Sequence, residues 1–197
     1  LLGGLPGAER GRVVVIGAGN AGGNAAAMAA AMGAEVTVFD RNRERLLAMR
    51  SLGNNVTALY PYQEAVRRAV AGADLLIGAV LKTGDRSPHV VTRHMVAAMT
   101  AGSVIVDISV DQGGCIETTR PTNYENPTYV EEGVLHFAVT NMPGAVPRSA
   151  TQALSAALLP YVHRIAGTGW KSDPPLARGI NIEAGAIVHP VLKESLA

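Results

Sequence analysis

Aromatic side chains are scarce, at 4% of the 197 residues, so a core of any size must be built from Ala, Val, Leu and Met. Cysteine occurs once, as Cys115, which excludes an internal disulfide and fits a reducing compartment such as the cytoplasm. Charge is low and balanced: 17% of residues are charged, the formal net charge is +1, and no basic run appears. That argues against nucleic acid or another polyanion as partner. No apolar stretch reaches membrane-spanning length. The Ala-rich segment near Ala25 is too short and lies behind a glycine turn. The first residues carry no signal-peptide pattern, and the chain begins at Leu1 rather than Met, so a fragment of a longer protein is expected. What the chain has in quantity is apolar residues, 48%, and glycine, 22 of them. Its length allows one large domain, or one domain plus an appendage.

The informative stretch is Val13-Val14-Val15-Ile16-Gly17-Ala18-Gly19-Asn20-Ala21-Gly22. Four β-branched residues in a row predict a strand buried on both faces. They run into a G-x-G-x-x-G pattern at Gly17, Gly19 and Gly22, and Ala25 to Met32 then predicts a closely packed helix. In a dinucleotide-binding turn, the first glycine permits the tight turn and the second lets the backbone approach a pyrophosphate. The third lets the helix lie on the strand. The free N–H groups and the positive dipole end of that helix would face the phosphates. A second strand, Glu35 to Phe39, ends in Asp40, eighteen residues beyond Gly22, where a carboxylate can accept from the adenosine ribose hydroxyls. The alternative is a βαβ turn whose glycines serve packing alone.

The β–α alternation continues. Arg43 to Leu52 predicts a charged surface helix closed by Gly53-Asn54-Asn55, Val56 to Leu59 a short strand, and Tyr62 to Val70 a helix. Asp74 to Val80 predicts the fourth strand, Lys82 to His89 a polar loop with Gly84 and Pro88, and Thr92 to Met99 a helix with Thr92 near its N-cap. Ser103 to Ile108 is the fifth predicted strand and Leu135 to Val139 the sixth. The expected fold class is α/β, a doubly wound parallel sheet of Rossmann type. Asp111-Gln112-Gly113-Gly114-Cys115 reads as a loop at a strand's carboxyl end, the edge that faces the ligand crevice in such sheets, and Arg120 to Pro127 as an irregular excursion. After Ser149, Leu154, Leu158, Tyr161, Val162 and Ile165 recur at helical spacing; Pro160 should kink that helix, and Gly167, Gly169 and Pro174-Pro175 should break it. The remaining C-terminal segment offers no strand partner. Residues 1–148 are read as an NAD-binding domain and 149–197 as a helical segment returning to a substrate domain that this chain lacks.

Taken together, the glycine turn, Gly78-Ala79-Val80-Leu81, Val106-Asp107-Ile108, Asp111-Gln112-Gly113-Gly114-Cys115 with Arg120-Pro121, and Asn141-Met142-Pro143-Gly144-Ala145-Val146 resemble the NAD-binding domain of alanine dehydrogenases. The resemblance covers nearly the whole chain. It is weaker to the related NAD-binding subunits of proton-translocating transhydrogenases, whose mobile Arg-Gln-Asp loop has no counterpart here. The resemblance implies reversible oxidative deamination of L-alanine to pyruvate and ammonium with NAD, in a soluble homo-oligomer, often a hexamer. It further implies that an Arg, a Lys and a His come from a substrate domain outside this chain.

The resemblance also implies site residues. Asp111 would be the catalytic carboxylate, a role its place beside glycines at a strand end supports; the plain alternative is an Asp that caps a turn. Cofactor contacts would come from Gly17, Gly19, Asn20, Ala21, Gly22, Asp40, Arg45, Val80 and Leu81. Ile108, Ser109, Val110, Asp111, Arg120, Val139, Thr140, Asn141 and Met142 complete the set. Arg120 has a surface ion pair as its alternative, and the apolar strand ends would be expected in any core. Arg41, Arg43 and Arg45 lie near Asp40 and could meet a 2′-phosphate, but the carboxylate repels one at short range, so NAD is expected over NADP. Arg164 and Thr168 stand where some alanine dehydrogenases place magnesium ligands, so no metal is expected, and His163 reads as a core or surface residue. Pro61 replaces a serine found near the adenine in some relatives. Cys115 reads as packing, not as a nucleophile. Two other functions stay open: a transhydrogenase subunit, and a non-catalytic NAD-binding module.

Overall fold

The structure is a computed structural model that describes residues 1–82 and 87–195; Gly84, in the expected polar loop, lies outside them. By contacts the chain divides into two units, Leu1–Thr140 and Asn141–Ala197.

In the first unit, strands β1 (Arg12–Ile16), β2 (Glu35–Phe39), β3 (Val56–Leu59), β4 (Leu75–Gly78) and β5 (Val104–Asp107) precede a hairpin of β6 (Thr128–Glu131) and β7 (Val134–Phe137). Among the described residues these seven form one sheet in the order β3-β2-β1-β4-β5-β7-β6. Helices α1 (Asn20–Ala31), α2 (Arg43–Arg50), α3 (Gln63–Ala71) and α4 (Arg93–Ala97) connect them. Because successive side chains on a strand point to opposite faces, the Val13–Ile16 run feeds two cores. Val13 and Val15 pack with Ala26, Ala29, Val36 and Val38 on one side of the sheet, and Val14 and Ile16 with Val66, Val70, Leu76 and Val96 on the other. With few aromatics available, alanines and valines bring helix α1 close to the sheet.

Parallel register aligns the carboxyl ends of the central strands. Ile16 pairs with Phe39 on one side and with Gly78 on the other, and Gly78 pairs with Asp107. Gly17, Asp40, Ala79 and Ile108 therefore each lie one residue past a common row. The chain leaves β1 toward β2 but returns to β4 on its other side, so this rim sits at the topological switch point of the sheet.

Several expectations need correction. Helix α1 begins at Asn20, not Ala25, although Gly22 and Gly23 are poor helix formers; close packing overrides propensity there. The doubly wound parallel sheet is as expected, except at one edge. Strand β6, unrecognised in the sequence, is an antiparallel edge strand, which makes the strand expected at Leu135 to Val139 the seventh. The missed turn has only two residues, Glu132 (φ 52°) and Gly133 (φ 75°), the positive-φ pair that suits a tight hairpin. The Asp111–Cys115 segment is not all loop either, since a 3-10 turn spans Ile108–Gln112.

In the second unit, α5 (Pro147–Ala166) runs 20 residues, passes through Pro160 without ending, and stops at Gly167. Short helices α6 (Pro174–Arg178) and α7 (Pro190–Ser195) flank a second overlooked hairpin, β8 (Ile182–Glu183) with β9 (Ala186–Ile187). So the C-terminal segment does pair strands, again across a positive-φ turn, at Ala184 (φ 47°) and Gly185 (φ 80°). No helix among the described residues is long and apolar enough to cross a membrane.

A Cβ at Gly22 would stand 1.8 Å from the Gly17 carbonyl oxygen, whereas one at Gly19 would meet nothing nearer than an Arg45 guanidinium nitrogen at 3.9 Å. Gly22→Ala is therefore expected to lose about 2–3 kcal/mol of stability, despite alanine's better helix propensity. Gly19→Ala should lose less, about 0.5–1 kcal/mol, the difference between the two residues at a helix N-cap. Urea midpoints check both; equal midpoints would contradict the close approach of α1 to β1.

Candidate functional site

The glycine turn separates two kinds of demand. Gly17 (φ 98°) leads out of β1 beside the end of β4, with its Cβ position 2.5 Å from the Ala79 carbonyl oxygen, and Gly22 abuts Gly17. Protein atoms thus account for both. Gly19 faces open space instead, at the N-cap of α1, with no side-chain cap and no acidic residue in the first turn. The N–H groups of Asn20, Ala21 and Gly22 begin the helix, where no intrahelical acceptor exists for them. A 12-residue helix adds the positive end of its dipole at the same point. This geometry is chemically suited to an anionic group.

Asp40 stands beside it. Its side chain is 10% exposed, and Arg45 Nη1 lies 3.6 Å from Oδ2. Oδ2 accepts the Ala18 N–H and Oδ1 the Asn42 N–H, both at 2.7 Å. The carboxylate is thereby fixed in orientation. Each oxygen keeps a second lone-pair direction for a hydroxyl donor. A groove lined by Ala18, Gly19, Asn20, Arg45 and Met49 opens along this edge.

Across the rim, the organising residue is Asp107, which lies in the Val106-Asp107-Ile108 motif and is absent from the expected site residues. It is fully buried at the end of β5. Oδ1 accepts the Ser109 N–H at 3.0 Å, while Oδ2 accepts the N–H groups of Cys115 and Ile116 and the Thr119 hydroxyl at 2.9, 3.2 and 2.7 Å. One carboxylate thus ties both ends of the Ile108–Cys115 turn to β5. Gly78 makes room for it, since a Cβ there would lie 2.7 Å from both Asp107 Oδ1 and Cys115 Sγ. The sequence signal was an acid ending an apolar strand, the same signal that marked Asp40. Cys115 is buried, and burial, with the Asp107 charge adding to it, pushes its thiol up to about 12. A thiol so protonated is a packing group.

The remaining expected residues fall into two groups. Asp111 is exposed on the 3-10 turn at the rim, Leu81 is 67% exposed past β4, and Val80 is half-buried. Ile108 is half-buried; Ser109 and Val110 are buried. Arg120 is exposed and rests on the Tyr129 ring, 3.8 Å from its centroid, and among the described residues it forms no ion pair. Val139 is buried and Thr140 exposed at the end of the first unit, where Thr140 N–H bonds to Thr122. Asn141 and Met142 belong to the second unit, in which Asn141 takes a left-handed conformation before a 3-10 turn, Met142–Ala145. On α5, Arg164 lies over the Tyr161 ring and pairs with Asp173, and His163 is exposed. Among the described residues no cluster of three or more His, Cys, Asp or Glu could hold a metal ion.

With this geometry in view, comparison with known proteins is specific. The family described as "Alanine dehydrogenase/PNT, C-terminal domain" matches residues 1–190. The chain belongs to this family. The alanine dehydrogenase of Geobacillus stearothermophilus is 48% identical over 195 residues, 96% of this chain and 52% of that protein. The solved structure of an L-alanine dehydrogenase superposes with a TM-score of 0.86 at 50% identity, covering all of this chain and 55% of the other. A transhydrogenase from Sinorhizobium meliloti is more distant, with a TM-score of 0.73 at 28% identity over 92% of this chain and 50% of its own. The chain thus spans about half the length of the family members it matches.

If Asp107 anchors the turn, Asp107→Asn is expected to cost about 2–4 kcal/mol, because an amide NH2 replaces an acceptor among buried donors. The variant should also expose Cys115 to alkylation at mildly alkaline pH, where the folded parent resists it and the unfolded parent does not. A parent-like melting temperature and unlabelled thiol would contradict the anchoring role.

Proposed function

We propose that this chain is the NAD-binding part of an L-alanine dehydrogenase, which catalyses reversible oxidative deamination of L-alanine to pyruvate and ammonium. The observation that carries the reading is the open Gly19 cradle beside the oriented Asp40 carboxylate, in a chain so close to alanine dehydrogenases. The first-turn N–H groups of Asn20, Ala21 and Gly22 hold the pyrophosphate. Asp40 accepts from the adenosine ribose hydroxyls, and Arg45 borders the same ribose. Val80, Leu81 and the Ile108–Asp111 turn line the dinucleotide beyond the strand ends, and Arg120 contacts it from the following loop. Val139, Thr140, Asn141 and Met142 serve the same cofactor.

Bound here, NAD would supply the hydride acceptor. The protein's own contribution is to exclude water along the rim and to orient the acting groups. Asp111, with its carboxylate at that rim, orients the reacting amine or water and takes up a proton there. Residues 1–148 form the nucleotide domain, and 149–197 return to a substrate domain, which supplies the remaining substrate contacts. On the same grounds the whole protein works in the cytoplasm as a homo-oligomer, a hexamer by family resemblance, without metal.

Calorimetric titration tests the cofactor. The chain is expected to bind NAD in preference to NADP, and Asp40→Ala to weaken NAD while narrowing the preference. Each lost bond to the charged acceptor is worth about 1.5–3 kcal/mol before water recovers part of it. Unchanged affinities for both cofactors would remove Asp40 from the ribose.

Asp111→Asn tests the chemistry in the full-length protein. Asparagine caps turns about as well as aspartate but cannot take a proton. Turnover at saturating NAD and alanine should fall by about 10²–10⁴, the range for a positioned acid or base, with NAD affinity largely kept. A near-normal rate would leave Asp111 as loop structure.

A further inference from the structure

Arg120 stands on an exposed loop, where an arginine side chain ordinarily samples many rotamers and must give them up on binding a ligand. Here it is held in advance. Its guanidinium lies over the Tyr129 ring, and its backbone N–H donates to the Tyr129 hydroxyl at 2.8 Å. That ring comes from β6, the antiparallel edge strand. A cation over an aromatic face is attracted by the ring quadrupole, and the planar guanidinium stacks there best.

Tyr129 is itself fixed from beneath. It stacks on His136, with centroids 4.8 Å apart and planes 18° from parallel. Its hydroxyl donates to the Thr118 carbonyl oxygen at 2.8 Å. His136, 1% exposed on β7, has Nδ1 at 2.9 Å from the Val134 carbonyl oxygen. A carbonyl only accepts, so Nδ1 carries the proton and Nε2 accepts from the Thr118 hydroxyl, 2.8 Å away. Thr118, 3% exposed, therefore clamps both rings, one through its carbonyl and one through its hydroxyl. Burial lowers the pKa of His136 and raises that of Tyr129, which keeps the imidazole neutral and the phenol protonated, as these bonds require.

We infer that Tyr129, seated on His136 and tied to Thr118, is a positioning residue that holds the Arg120 guanidinium ready for the dinucleotide. This rests on the reading that Arg120 contacts NAD, and it gives the edge strand β6 a task in binding that no motif in its sequence announces. Tyr129 acts only through Arg120.

The test combines NAD titration of the chain with NMR relaxation of arginine Nε–Hε groups in the absence of cofactor. In the parent, Arg120 is expected to be more ordered than the exposed Arg43; equal mobility would overturn the proposal without any variant. Tyr129→Leu should free Arg120 and weaken NAD binding about tenfold, as should Arg120→Ala. The double variant should bind no more weakly than Arg120→Ala alone. Tyr129→Phe, which keeps the ring, should retain an ordered Arg120 and bind within about threefold of the parent. Additive losses in the double variant, or a Phe variant as weak as the Leu variant, would make Tyr129 merely structural and sink the proposal. Parent-like binding by Arg120→Ala would instead overturn the placement of Arg120 at the cofactor, a separate failure visible while its ordering on Tyr129 persists.

Discussion

Helix α1 can lie where it does only because nothing stands at the Cβ position of Gly22, where a methyl group would fall 1.8 Å from the Gly17 carbonyl oxygen. The rest of the rim follows from that contact. It brings the first turn of the helix up against the end of β1, leaving its unpaired N–H groups above the sheet's carboxyl edge. Register then sets what surrounds them: Asp40 to one side, Ala79 and Ile108 to the other. A helix held farther away would keep its dipole but lose its place over the switch point of the sheet.

Two buried polar anchors shape the rim farther out. Asp107 binds both ends of the turn that carries Asp111, and the Thr118 clamp on Tyr129 and His136 supports Arg120. Both work because buried donors and acceptors cost free energy unless paired, so each pairing admits few alternatives in geometry. Asp111 and Arg120, two of the groups proposed to touch cofactor or substrate, are exposed, whereas Asp107, Thr118 and His136 beneath them are buried. This division explains how exposed loops can present side chains in defined positions on a scaffold with almost no aromatic core.

Much of this was legible in the residues. Val13 to Ile16 specified a strand buried on both faces, because a continuous β-branched run leaves no polar face. Glu35 to Phe39 and Val56 to Leu59 were read with the bounds the structure has. Thr92 reads as lying near the N-cap of α4; it is the N-cap, and its hydroxyl accepts the Met95 N–H. The glycine spacing and Asp40 pointed to the turn where the groove beside α1 opens, since a turn between consecutive elements is a local feature.

What the sequence could not decide were pairings between distant segments. Strand β6 is short and sits at the sheet edge, and Glu132-Gly133 lacks the Asn or Asp that usually marks a two-residue hairpin; Ala184-Gly185 hid β8 and β9 in the same way. Asp107 looked like the end of a strand because its donors come from residues up to twelve positions later. The partnership of Arg120, Tyr129 and His136 spans two strands and a loop, and no spacing rule predicts it. By itself the sequence determined the βαβ turn, the strand cores and the family, because periodicity and local turn chemistry suffice for those. Only the tertiary structure decided which buried polar groups hold the rim in place, because hydrogen-bond satisfaction in a core is settled by which segments meet there.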